Sequence, residues 1–393
     1  MELRVARERD VTSEQNGPGA SSPLSPRFSS AFSWPDDALL WPFATTRMAI
    51  NTYFWWMGRD PPAQRDASHL PWTTPNRVAL ELPTFSLRDF SSKPGGPPAL
   101  ICAPYALHRA LIADFAANHS IVEALQRDGV DRLFLTDWRS ASSDMRYLAI
   151  DNYLADLNVA IDEIGPPLDL IGLCQGGWMS LLYAARFPEK VRRLVLVGAP
   201  VDVSVESELS QMVANATTGA FEGLVTSGGG LARGADLIGL WREKEDMETV
   251  MQRSLPLEDA DARGLRERFV RWHAETLDLP GVFYLEVVEK IFRENQLAKG
   301  TFVALGRELQ PSKLNIPVFL MAGSDDEIVP PGQAMATARL LGTSPASIAR
   351  EIAPCTHLGL FIGRTTLAFA WRRIAEWLSR DEPARIATRA ASA

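Results

Sequence analysis

Leu168-Asp-Leu-Ile-Gly-Leu-Cys-Gln-Gly-Gly-Trp-Met-Ser-Leu-Leu-Tyr183 is the stretch that decides how this chain folds. An apolar run passes through Gly172-Leu-Cys-Gln-Gly176 and continues as a helical pattern. Strand, Gly-x-Cys-x-Gly turn and helix in immediate succession make a nucleophile elbow, with cysteine where serine is commoner. The turn must be sharp and the helix must start at once, so side chains two before and two after the nucleophile would collide; both positions are glycine, Gly172 and Gly176. The helix N-terminus directs positive partial charge at Cys174, which favours a thiolate. The Gln175 backbone N–H is placed to stabilise an oxyanion. A cysteine in a Gly-rich turn, taken alone, reads as a buried structural residue; the strand before it and the helix after it argue for chemistry.

Working outward, short apolar runs alternate with helical patterns. Val78–Leu82 and Thr84–Asp89 read as paired edge strands, and Ala99–Ala103, Arg132–Thr136, Leu168–Leu173, Leu194–Gly198 and Val318–Ala322 as buried ones. Continuous apolar strands separated by helices predict a mostly parallel, doubly wound α/β sheet. The rhythm breaks over Val203–Ser312, where Leu265–Glu275 and Tyr284–Asn295 are helical patterns and no strand of similar quality stands out. That segment reads as a helical cap over a substrate pocket. The chain thus divides into a disordered arm (1–33), an aromatic-rich segment (34–76), a first core part (77–203), the cap (204–312), a second core part (313–382) and a flexible tail (383–393). The aromatic segment, with Trp34, Trp41, Trp55 and Trp56, reads as a packed helix or as an interfacial stretch that touches a lipid or polymer surface.

A cysteine nucleophile needs a base, and in the α/β-hydrolase fold the chain order is nucleophile, acid, base. Only His273 and His357 follow Cys174, and His273 falls in the cap. His357, in Pro354-Cys-Thr-His-Leu-Gly-Leu-Phe361, sits on a loop after the strand-like Ile348–Ile352, where the base belongs. The acid should follow the preceding strand, in Pro317-Val-Phe-Leu-Met-Ala-Gly-Ser-Asp-Asp-Glu-Ile-Val-Pro330, where Asp325 and Asp326 both qualify. The Asp-x-x-Val-Pro spacing favours Asp326, with Asp325 capping the turn. Its carboxylate would orient the imidazole and stabilise the imidazolium. The second oxyanion donor should lie in Pro104-Tyr-Ala-Leu-His-Arg-Ala110, with the Leu107 backbone N–H as candidate; His108 and Arg109 would flank the pocket and meet an anionic group.

Bulk properties narrow the classes. A net charge of −8, with no basic run, leaves no surplus to neutralise phosphates and argues against a nucleic-acid partner. Cys102, Cys174 and Cys355 are odd in number and widely spaced, which fits neither a disulfide framework nor a metal site and suits a reducing cytoplasm. The N-terminal residues lack the apolar core of a secretory signal, and no apolar run is long enough to span a bilayer.

With these residues in place, the sequence resembles the polyhydroxyalkanoate synthases, particularly the short catalytic subunits of the two-subunit classes. The likeness rests on Gly172-Leu-Cys-Gln-Gly-Gly177, Leu194-Val-Leu-Val-Gly-Ala-Pro-Val-Asp202, His108-Arg-Ala-Leu-Ile-Ala-Asp-Phe115, Leu135-Thr-Asp-Trp-Arg139, Glu294–Gly300, Asp326–Pro331 and Thr356–Gly363, and it spans roughly residues 80–380. The resemblance implies that Cys174 takes a 3-hydroxyacyl group from coenzyme A as a thioester. The hydroxyl of the next monomer or chain end then attacks, with His357 and Asp326 as its activators. It implies no cofactor beyond the coenzyme A thioester as substrate, no metal, a growing polyester chain or granule surface as partner, and a second subunit or a homodimer. The chain departs from the family pattern at Glu327, where histidine is usual, at Thr356, where glycine is usual, and at Trp178, where smaller residues are common. Two other readings use the same residues differently: a thioesterase or polyester depolymerase with water as acceptor, and a catalytically weak granule scaffold.

Overall fold

The computed structural model describes residues 70–205, 207–238 and 262–380. The expected arm over 1–33, residues 34–69 of the aromatic segment and the 383–393 tail lie outside the described residues.

Eight strands form the main sheet: β1 (Arg77–Glu81), β2 (Phe85–Asp89), β3 (Ala99–Cys102), β4 (Leu133–Trp138), β5 (Leu168–Leu173), β6 (Val191–Val197), β7 (Val318–Gly323) and β8 (Ile348–Ala353). Their spatial order is 1-2-4-3-5-6-7-8. β1 pairs antiparallel with β2 and β2 with β4; every later pairing is parallel. The parallel strands β3, β4, β5 and β7 are buried at every position, which is why they read as unbroken apolar runs and not as alternating ones. β8 closes the edge with an alternating pattern, as a strand with one free side should.

The crossovers are helical. α1 (Ile150–Ile164) buries Tyr153, Leu154, Leu157, Ile161 and Ile164, a stripe at three- and four-residue spacing. α2 (Gln175–Arg186) is buried from Gln175 through Ala184 and is apolar almost all round, the signature of a helix sunk in the core. Between β6 and β7 lie α3 (Glu208–Asn215), α4 (Ala262–Ala274) and α5 (Gly281–Glu286), the last running straight into a π-helical turn at Val287–Arg293. α6 (Arg364–Leu378) packs its Leu367, Trp371, Ile374 and Leu378 face inward after β8.

The inserted region is not purely helical, as the sequence had suggested. Leu231–Ala232 pairs with Leu279–Pro280, and Phe302–Ala304 with Arg307–Leu309. Runs of two and three residues are too short to show a period of two, so they leave no mark in the sequence. Within the main sheet, β4 extends to Trp138, two residues past its expected end at Thr136. Among the described residues no helix is long and apolar enough to cross a membrane.

Candidate active site

Cys174 stands between the end of β5 and the first turn of α2 with φ 48° and ψ −116°. A non-glycine residue at positive φ costs on the order of 1–3 kcal/mol and persists only where its surroundings fix it. Here the Cys174 N–H donates to the Val197 carbonyl at 2.9 Å, and the Gly177 N–H donates to the Cys174 carbonyl at 2.8 Å. The flanking glycines leave no alternative. A Cβ on Gly172 would lie 2.5 Å from the Gly177 Cα, and one on Gly176 would lie 2.1 Å from the Cys102 carbonyl oxygen. The turn therefore presses α2 against the end of β3. Cys174 itself is only partly buried, so its sulfur is reachable.

His357 and Asp326 come to this turn from the ends of β8 and β7. The His357 Nδ1 lies 2.7 Å from the Asp326 Oδ2. The other oxygen, Oδ1, accepts the Ile328 and Val329 N–H groups at 3.0 and 2.8 Å, which fixes the carboxylate. With Nδ1 so engaged, Nε2 is left for the Cys174 sulfur, with which the ring also interacts. Burial works against charge on His357, but the Asp326 carboxylate and the Cys174 sulfur outweigh it and hold the imidazole well above its ordinary range. The neighbouring Asp325 is exposed and accepts only the Ser324 hydroxyl, at 3.0 Å. Glu327, where the resemblance leads one to expect histidine, is exposed as well. The three side chains singled out in the sequence thus meet at one place. Cys102 and Cys355 differ from Cys174: burial pushes their thiols up to about 12 and about 11.

Gln175 and Leu107 both face one cleft, bounded by the Tyr105–Leu107 loop and by apolar side chains of the inserted region. The root of that loop is clamped. Thr136 Oγ1 accepts the Ala103 N–H at 3.0 Å, and Trp138 Nε1 donates to the Ala103 carbonyl at 2.8 Å. Two residues apart on a strand, Thr136 and Trp138 share one face. This explains part of the Leu135-Thr-Asp-Trp-Arg stretch, whose polar members were not assigned a task from sequence. The Trp178 indole, another departure, is fully buried and donates from Nε1 to the Gln175 side-chain oxygen. Asn295, also unassigned from sequence, sits in the left-handed region and bonds to Asp202 and to the Val203 N–H, tying the inserted region to the chain just after β6.

His108 and Arg109 stand elsewhere. Arg109 approaches Asp137 at 3.8 Å, a carboxylate that also accepts Arg88 Nε at 2.8 Å. His108 packs its ring 4.4 Å from Trp272 and 4.9 Å from His273, both on α4. Neither lines the cleft. Burial, aided by the charge of His273 and opposed by a backbone bond at Glu275, pushes the His108 imidazole down to about 3. An unfolded histidine takes up a proton near 6.5 and this folded one does not, so the unfolded state binds more protons and stability falls as pH drops below that value. The expected loss by about pH 4.5 is on the order of 2 kcal/mol. Urea midpoints measured across this range should fall more steeply for the wild type than for His108→Gln, and parallel slopes would contradict the assignment.

Comparison with known proteins agrees with this architecture. A family whose description is "alpha/beta hydrolase fold" matches residues 107–363. The poly(3-hydroxyalkanoate) polymerase subunit PhaC of Haloferax mediterranei is 25% identical over 78% of this chain, which spans 64% of that relative's length. Its namesake from Synechocystis is 27% identical over 72% of this chain and 79% of its own. The one from Allochromatium vinosum is 25% identical over 73% of this chain and 82% of its own.

Proposed function

This chain belongs to the alpha/beta hydrolase fold family and, within it, groups with the poly(3-hydroxyalkanoate) polymerases; on that premise we propose that it polymerises 3-hydroxyacyl groups from coenzyme A thioesters through an acyl-Cys174 intermediate. The observation that carries the reading is the meeting of Cys174, on its strained turn, with a His357 whose other nitrogen is held by Asp326.

The chemistry balances in two steps. His357 Nε2 takes the thiol proton, and the Cys174 sulfur attacks the thioester carbonyl carbon. The carbonyl electrons move to oxygen, towards the Gln175 and Leu107 N–H groups, and return as the bond to the coenzyme A sulfur breaks. The departing thiolate collects the proton from His357, leaving acyl-Cys174 and free coenzyme A. In the second step the hydroxyl of a monomer or chain end gives its proton to His357 as its oxygen attacks the acyl carbon. The new ester leaves, and Cys174 recovers the proton. Splitting the transfer in this way replaces one difficult displacement by two easier ones. Asp326 keeps the imidazole in the orientation both steps require. The scheme needs no cofactor, because the thioester supplies the activated acyl group. The same reading takes in a polyester granule as the product surface and either a second subunit or a second copy of this chain as partner.

Incubation with 3-hydroxybutyryl-CoA tests it. The expected products are free coenzyme A and an insoluble polyester, in equal molar amounts per monomer. Release of coenzyme A with free 3-hydroxybutyrate as the sole acyl product would instead assign the site to hydrolysis.

A further inference from the structure

Resting on the reading above, we infer that the apolar cleft behind Gln175 and Leu107 is a subsite for the 3-alkyl group of the acyl chain, and that it selects side chains longer than methyl. Three observations point there. The first is position. One wall is the Tyr105–Leu107 loop and the first residue of α2, the two segments that carry the proposed oxyanion donors. A carbonyl polarised between those N–H groups has its substituent beside this opening, not in the bulk solvent.

The second is chemistry. The opposite wall is built from Leu209 and Val213 of α3, Phe283 and Tyr284 of α5, and Val288 and Phe292 of the π-helical turn. No acidic or basic side chain lines it. It offers nothing to the phosphates of coenzyme A, which call for cations, and nothing to a carboxylate. It fits an uncharged aliphatic group, whose transfer from water is favourable in proportion to the area covered.

The third is construction. π-Helical turns are rare and concentrate at functional sites. Here the widened turn lets the adjacent Val287 and Val288 both face the cleft, and it follows directly on Phe283, whose ring lies 5.2 Å from that of Tyr105. Tyr105 is itself fixed by a 2.8 Å bond between its hydroxyl and that of Tyr153. The wall opposite the loop is therefore braced against it, and a subsite of constant width results.

Each methylene buried in such a place is worth a factor of about four. The ratio kcat/KM for 3-hydroxyhexanoyl-CoA over 3-hydroxybutyryl-CoA is then expected to be about 15 in the wild type. Val213→Phe and Val288→Phe, which fill the space from two separate elements, should bring that ratio to about one or below. The assay is coenzyme A release, read alongside far-ultraviolet circular dichroism of each variant. A wild-type ratio of one or less overturns the inference with no reference to the variants. So does a folded, filled variant that keeps the wild-type ratio. Coenzyme A release from neither ester, with Cys174 still alkylated by iodoacetamide, would remove the polymerase reading itself and this inference with it, an outcome distinct from turnover without chain-length preference.

Discussion

His357→Gln is expected to lower the rate of coenzyme A release by about 10⁴-fold, with little change in KM. Glutamine keeps a polar group of similar reach but cannot take the proton from the thiol or return one to the leaving sulfur. The effect should sit in kcat because both transfers occur in the transition state, whereas acyl-chain contacts are made before it and persist through it. His357 is buried, and its Nδ1 bond to Asp326 is the only polar anchor among the described residues besides the thiol. The substitution should therefore leave the strand order and α6 intact, which circular dichroism would check. A variant that keeps more than about a tenth of the activity would mean that another base serves Cys174.

Gly176→Ala is expected to destabilise the fold by about 3 kcal/mol and to abolish the fast reaction of Cys174 with alkylating agents. The added methyl would stand 2.1 Å from the Cys102 carbonyl oxygen and 2.6 Å from that of Ala103. Both neighbours are backbone of a fully buried strand, so neither can swing away. Relief requires α2 to shift from β3, and that shift tilts the N–H of Gln175 and unseats the Cys174 turn. Urea unfolding should show a lower midpoint at unchanged slope. Gly219→Ala is the control: a methyl there meets nothing within 4 Å, and its midpoint should move by no more than about 0.5 kcal/mol. Equal behaviour of the two variants would mean that the elbow is looser than the geometry requires.

Much of this architecture was legible because the decisive signals are local. The Gly-x-Cys-x-Gly turn announces its strand and helix within sixteen residues of sequence, Leu168–Tyr183. The buried strands announce themselves because both of their faces are apolar. Choosing Asp326 over Asp325 rested on a two-residue spacing, and the structure puts the first inside against His357 and the second in solvent. What stayed hidden depends on distant partners. His108 looked like a polar loop residue, yet it packs against Trp272 and His273, more than 160 positions on. Arg109 looked free for an anion, yet Asp137 is beside it. The π-helical turn at Val287–Arg293 has the same periodicity in sequence as an ordinary helix. The Asn295–Asp202 tie joins two stretches whose individual sequences carry no sign of each other.

The account turns on a covalent bond to one sulfur. Butyryl-CoA, which lacks the 3-hydroxyl and so cannot be extended, offers a way to see it. The protein would be mixed with this ester, quenched in acid within seconds, digested and mapped by mass spectrometry. The predicted result is a butyryl adduct on the peptide bearing Cys174, absent from Cys174→Ala, with the peptides of Cys102 and Cys355 unmodified. Turnover of 3-hydroxybutyryl-CoA that persists in Cys174→Ala, or an adduct on any other residue, would contradict it.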